Sequence, residues 1–99
     1  MSNETYNGWS NYETWLITLH IDNDQGLLEM VCDLVRDGEF ESDMAAGEAI
    51  RDWLDDLREE MGVCTEQGMW SDMLRAAFEA VDWREVGEKF RDYVKECAA

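Results

Sequence analysis

Carboxylate side chains crowd one stretch in the middle of the chain. Nine acids lie between positions 39 and 60, where the only basic residues are Arg51 and Arg58. The nine are Glu39, Glu41, Asp43, Glu48, Asp52, Asp55, Asp56, Glu59 and Glu60. Such a group could supply acid–base pairs, ligands for a cation, or a negatively charged binding surface. Their spacing and surroundings decide between these roles.

From Glu48 onward the acids recur at steps of three and four residues, which places them on one face of a helix. The apolar side chains Ile50, Trp53 and Leu57 occupy the opposite face. Like charges one turn apart cost a few tenths of a kcal/mol per pair, so a helix selected only for stability would include Lys. One turn rises about 5.4 Å, and with splay the carboxylates repeat at about the spacing of phosphates along a nucleic-acid strand. We therefore expect a surface whose carboxylates take the positions of the phosphates that a DNA-binding protein binds.

The sequence offers little for metal binding. The segment "DNDQGLLEMVCD" places Asp22 and Asp24 at the first and third positions of a calcium loop. Leu27 then stands where the loop needs Gly, and Asp33 where it needs a bidentate Glu. A turn that caps a helix is the better interpretation. We expect no bound metal and no cofactor.

Catalysis is equally poorly supported. His20 is the only His in the chain, and we expect it to interact with the C-terminal end of its helix. The chain has no nucleophile motif and no phosphate-binding Gly loop. Carboxylate pairs are numerous, but an exposed acidic surface produces many pairs by accident. The prediction is that the protein is not an enzyme.

The overall charge restricts the partners. The chain has 24 acids against 8 Lys and Arg, which gives a net charge of -16. This sign excludes direct binding to nucleic acid and to anionic membrane surfaces. Most of the excess lies in residues 1–61, which contain 16 acids and 3 basic residues. The plausible partners are cations or basic protein surfaces.

Three cysteines without a CxxC pair are typical of a reduced compartment, and the N-terminus does not resemble a signal peptide. No apolar run approaches the roughly 20 residues of a membrane-spanning helix. These features predict a cytoplasmic protein.

Hydrophobic periodicity predicts an all-α protein, a compact single domain over residues 1–99 with about five helices. The first helix begins at a Ser10–Glu13 capping box and ends near Asp22. An Asp82–Glu85 cap begins the last helix. The other three are expected over about Gln25–Asp37 with Gly38 at C′, Asp43–Met61 and Met69–Ala80.

Tryptophan is expected mainly in the core. Trp15, Trp53, Trp70 and Trp83 fall on the apolar stripes of predicted helices. Trp9 precedes Ser10, where an apolar residue can staple the start of the helix. The pattern does not decide whether Tyr6 and Trp9 pack or bind a ligand.

Two segments carry a family resemblance. The box "YNGWSNYETW" at residues 6–15, continued by "IDND", resembles the opening motif of small acidic proteins of unknown function from phages, mobile elements and bacteria. The segment "AFEAVDWREVGEKF" at residues 77–90 resembles the closing pattern of the same family. The middle of the chain, which holds the acidic helix, does not take part in this resemblance. The family implies no catalytic residues.

The acidic helical profile is also similar to that of phage inhibitors of host defence, such as DNA mimics of the anti-restriction and anti-CRISPR kinds. The working hypothesis is a non-enzymatic inhibitor that occupies the basic nucleic-acid groove of a host defence complex, using the nine acids of residues 39–60. The alternative is a small structural or adaptor protein whose acidity suits its solvent. In dilute buffer a mimic stays folded, whereas a salt-adapted protein loses structure. The sequence does not specify the defence system or the oligomeric state.

Overall fold

The computed structural model describes residues 6–98, apart from the side chain of Ala98, and these residues form five α-helices. The radius of gyration is 13.9 Å, against about 13 Å for a compact chain of 100 residues. Within residues 6–98 there is no strand beyond an isolated bridge between Tyr6 and Trp9. The predicted all-α class is confirmed. The helices are α1 Tyr12–Asp22, α2 Gln25–Gly38, α3 Asp43–Met61, α4 Met69–Ala80 and α5 Trp83–Ala98.

Side-chain caps explain where most helices begin. The carboxylate of Asp24 accepts from the backbone N–H of Leu27, and the hydroxyl of Ser42 accepts from that of Ala45. Asp82 likewise accepts from the N–H of Glu85 at 3.2 Å, as the sequence predicts. Each bond satisfies one of the donors left free at a helix start. The turn at Asp24 is therefore a helix-capping turn.

The predicted Ser10–Glu13 capping box is wrong. Asn11 caps α1, and its side-chain oxygen accepts from the N–H of Thr14 at 2.9 Å. Ser10 instead donates its backbone N–H to Glu85 and its hydroxyl to Asp82. Ser and Asn are about equally good caps, so contacts with a distant part of the chain decide between them.

The end of α2 also differs from the prediction. Gly38 remains helical, and Glu39 takes the left-handed conformation with φ of 47°. The ring of Phe40 lies over Gly38, where a β-carbon would collide with it. Gly38 is therefore needed for the packing of Phe40 and not for a left-handed backbone.

The centre of the protein is α5, which packs against α1, α2 and α3. Its contact with α3 is the most extensive, because two glycines let the backbones approach closely. A β-carbon at Gly47 would collide with the carbonyl oxygen of Trp83, and one at Gly87 would collide with that of Asp43. This contact fixes the orientation of α3, the helix that carries most of the nine acids.

One apolar cluster forms the core around this crossing. Its buried members come from all the helices except α4, together with Val81 in the α4–α5 turn. Trp83 donates its indole N–H to the carbonyl of Phe78 at 2.9 Å. The cluster consists of Ile21, Val31, Val35, Ile50, Val81, Trp83, Val86 and Phe90.

The sequence places too much of α4 and of the end of α3 in the core. Trp70 was expected on a buried stripe, yet it is exposed, as are Met73 on the same helix and Met61 at the end of α3. No residue of α4 is fully buried, and only its Ser71, Leu74, Ala77 and Phe78 are partly covered. The periodicity identified a helix correctly, but it does not show how much of an apolar face finds a partner.

Candidate functional site

The nineteen residues of α3 form a rod about 28 Å long. Ser42 caps its start, and Gly62 ends it with a left-handed φ of 75°. Glu48, Asp52, Asp55 and Glu59 follow one another at steps of four, three and four residues along the side away from the core. We call these four residues the acidic row. The helix holds its carboxylates on one rigid edge about a turn apart.

The exposure of the nine acids falls into two groups. Asp43 and Asp55 are half-buried, and the other seven are exposed. Among the described residues, five of the exposed acids make no ion pair, namely Glu39, Glu41, Glu48, Asp56 and Glu60. These five carboxylates are available to form ion pairs with a cationic partner.

Asp43 has a structural contact. Its carboxylate pairs with the guanidinium of Arg91 on α5 at 2.7 Å. Arg91 also donates to the carbonyl oxygen of Phe40 at 3.1 Å. The pair ties the start of α3 to α5, so Asp43 is less available to a partner than the exposed acids.

Two arginines compensate part of the acidic row. Arg51 pairs with Asp52 at 3.0 Å, and Arg58 pairs with Asp55 at 2.8 Å. Arg58 also lies 3.6 Å from Glu59. The exposed pair of Arg51 and Asp52 is worth about 0–1 kcal/mol, so a basic groove that offers several cations can replace it. Arg58 is largely covered and also holds the loop after α3, so its pairs are less easily replaced.

These arginines face an open cleft of about 1080 Å³ between α3 and α4. Arg75 on α4 contributes a third guanidinium, and Asp72 and Glu79 add carboxylates on the same side. Asp52, Asp55 and Glu59 of the acidic row line the same cleft, so charges of both signs meet there. Glu48 is the member of the row that does not line it, and the row therefore forms the edge of α3 that borders the cleft.

The other titratable groups of the described residues include no metal-type cluster and one buried thiol. No group of three or more His, Cys, Asp and Glu within residues 6–98 has the arrangement of a metal site. Cys32 is a free thiol whose pKa is raised by burial and, to a smaller extent, by the charge of Cys97. A raised pKa lowers the fraction of thiolate, which is the nucleophilic form. His20 lies exposed in the last turn of α1.

The aromatic box, residues 6–15, begins with a tight turn that we did not predict from the sequence. Tyr6 and Trp9 exchange backbone hydrogen bonds of 2.7 and 2.8 Å around Asn7 and Gly8, whose φ angles are 51° and 90°. An Asn-Gly pair is the preferred sequence for a two-residue turn with both φ angles positive. That dipeptide is the signal that could have predicted the turn.

The turn brings the aromatic rings together. Tyr6 lies 5.1 Å from Tyr12 and 4.8 Å from Trp15, measured between ring centroids. The ammonium of Lys89 lies 5.7 Å from the centroid of the Trp9 ring, within the range of a cation–π contact. Tyr6 and Trp9 therefore both pack against neighbouring side chains, although Tyr6 remains 40% exposed and Trp9 half-buried at the surface.

Polar contacts fasten this box to the α4–α5 junction. Asn11 donates its side-chain N–H to the carbonyl of Ala80 at 2.7 Å. The hydroxyl of Thr14 accepts from the N–H of Asp82 at 2.8 Å. The two segments that carried the family resemblance, residues 6–15 and 77–90, are thus bonded to each other.

The fold and the surface define a class, that of small acidic all-α proteins with a carboxylate-lined helix and an aromatic box tied to the last helical junction. The chain belongs to DUF7249, a family of unknown function whose model matches residues 2–96. No curated protein and no solved structure matches the chain. No helix among the described residues is long and apolar enough to cross a membrane.

Proposed function

We propose that the protein is a non-enzymatic inhibitor of a host defence complex, of the anti-CRISPR or anti-restriction kind. It acts in the host cytoplasm as a nucleic-acid mimic that occupies a basic groove for DNA or RNA. The observation that carries this proposal is the acidic row of α3, with exposed acids beside it and at its ends. The comparisons identify only a family of unknown function, so the proposal rests on the charge and its geometry.

The length of α3 supports a groove as the binding site. The acidic row from Glu48 to Glu59 spans about 17 Å of this helix, which corresponds to the rise of about five base-pair steps of duplex DNA. Over this length Glu48, Asp52 and Glu59 point into solvent, and Asp56 and Glu60 extend the charge beside them. A groove whose Lys and Arg hold phosphates can form charge-assisted hydrogen bonds with carboxylates in the same way.

The rigidity of α3 supports binding without reorganisation. The helix is capped at both ends, and close packing against α5 at Gly47 and Gly87 fixes its backbone. Only side chains must be ordered when a groove closes around it, which limits the entropic cost of binding. Exposed charges of one sign also speed association with a basic partner, and salt weakens this effect.

A competition experiment tests the proposal. The purified protein is added to RNA-guided DNA-binding complexes and to restriction enzymes, and the fraction of labelled DNA bound is measured at several DNA concentrations. A mimic that shares the groove with DNA should have a half-inhibitory concentration that rises in proportion to the DNA. Inhibition that does not depend on the DNA concentration, or no inhibition of any such complex, would contradict the proposal.

A further inference from the structure

The start of α4 presents apolar side chains to solvent. Met69, Trp70 and Met73 are 61%, 68% and 58% exposed, and their spacing puts them on one face of the helix. We call these three residues the α4 patch. Met61 at the end of α3 and Val63 in the α3–α4 loop are also exposed. Large apolar side chains grouped on a surface mark an interaction site more often than single ones do.

The composition of the α4 patch suits binding. Trp is among the residues most enriched at the energetic centre of protein interfaces, and Met is enriched in interfaces generally. Met side chains are unbranched and adapt to partners of different shape. Leu74 and Phe78 turn towards the body of the protein, so the patch does not contribute to the core.

Hydrogen bonds hold the α3–α4 loop, which precedes the α4 patch in the chain. Arg58, whose side chain is only 18% exposed, donates to the carbonyl oxygens of Val63 at 2.7 Å and Cys64 at 3.1 Å. Ser71 donates its hydroxyl to Cys64 from the first turn of α4. The loop is therefore tied to both helices, and the α4 patch is held in place before any partner arrives.

The charge around the patch identifies the occupant. Glu66 and Asp72 lie within three residues of the patch in the sequence, Glu60 precedes Met61, and all three are exposed. Arg75 is the exposed basic residue nearest to them in the sequence. A second copy of this chain would bring a further net charge of -16 against the same surface, which opposes pairing. Acidic side chains also repel an anionic membrane surface. A segment that combines apolar side chains with Lys or Arg complements both the patch and its rim.

We propose that the α4 patch is a docking site for a basic amphipathic helix of a partner protein. The apolar face of that helix covers Met69, Trp70 and Met73, and its Lys or Arg residues pair with the acidic rim. The two helices would pack side by side, with the apolar side chains of each at helical spacing. The three patch residues are not part of the acidic row, although the rim acid Glu60 also belongs to the nine acids of the proposed function. The two proposals are therefore tested with substitutions at different residues.

A fluorescently labelled peptide of Leu and Lys, about 18 residues long and patterned as an amphipathic helix, serves as the probe. Binding is measured by anisotropy at about 0.5 M salt, where the Debye length is only roughly 4 Å and the net charge alone attracts little. The expected result is binding that Trp70→Ala combined with Met73→Ala weakens at least about tenfold.

Met30→Ala is the matched control, because Met30 is 48% exposed on α2, away from the patch. It should leave peptide binding unchanged, and a Leu–Glu peptide of the same pattern should not bind. Equal binding by the patch variant and the control would overturn the proposal. Sedimentation that shows a dimer dissociated by Trp70→Ala would also overturn it, since the occupant would then be a second copy.

Discussion

Thr14 shows how a single buried hydroxyl joins distant parts of this protein. Its side chain is fully buried, donates to the side-chain oxygen of Asn11 at 2.6 Å and accepts from the backbone N–H of Asp82 at 2.8 Å. It therefore links the cap of α1 to the residue that caps α5, 68 positions away. Family proteins that share the two motifs should share this contact, because both partners lie within them.

Replacement of Thr14 by Val should destabilise the fold by about 1–3 kcal/mol, since the N–H of Asp82 would then be left without its partner. Thr18→Val is the matched control. Thr18 is equally buried, but it donates only to carbonyls of its own helix, at Thr14 and Trp15. Denaturant unfolding of the two variants measures the difference. A cost for Thr18→Val equal to that of Thr14→Val would show that the link to Asp82 contributes nothing.

At the scale of the helices, the crossing of α3 and α5 is the contact on which the rest of the fold depends. Gly47 and Gly87 lie where any side chain would collide with the backbone of the other helix. The same crossing buries Ile50, Val86 and Phe90 completely. Its position therefore sets both the core and the direction in which the acidic row points.

Gly47→Ala and Gly87→Ala should each cost at least about 2 kcal/mol of stability, because a β-carbon at either site forces the two backbones apart. Gly26→Ala is the control. It lies in the first turn of α2, where a β-carbon would meet only the Asp24 carboxylate at 3.5 Å, and Ala is the better helix former. Thermal unfolding should show the control unchanged or slightly stabilised. Normal melting of both crossing variants would rule out the close contact.

Much of the helical arrangement could be predicted from the sequence, because caps and periodicity are local. The bounds of α3 and α4 match the prediction. The choice of Asn11 over Ser10 and the exposure of Trp70 could not be predicted. Both depend on which distant surfaces meet, and one sequence does not contain that information in its spacing.

The candidate site was predictable to a similar degree. The helical spacing placed Glu48, Asp52 and Glu59 on the outer face of α3, and the structure leaves them exposed there. The pair between Asp43 and Arg91 joins residues 48 positions apart and has no signature in the sequence. Local spacing thus predicts which carboxylates reach solvent, whereas tertiary contacts determine which of them are already paired.

For the molecule as a whole, the charge is the property that needs an explanation. A net charge of -16 on 99 residues opposes compactness through self-repulsion. Residues 1–61 carry most of it, and α3 alone places four carboxylates along one edge. Adaptation to a salty solvent would not by itself align carboxylates along one edge of a helix, whereas the proposed binding to a basic groove would.

The most direct test of this account compares two variants of equal charge. In the first, Glu48→Gln, Asp52→Asn and Glu59→Gln neutralise three members of the acidic row. The second variant carries the same kinds of change on α5 and neutralises three exposed acids there, Glu88→Gln, Asp92→Asn and Glu96→Gln.

Both variants are assayed for displacement of DNA from the complex that the unmodified protein inhibits. The row variant should lose inhibition at least about tenfold, because three charge contacts of roughly 0.5–1 kcal/mol each are removed. The α5 variant should keep nearly all of its inhibition. An equal effect of the two variants would contradict the account, since total charge, and not the acidic row of α3, would then determine binding.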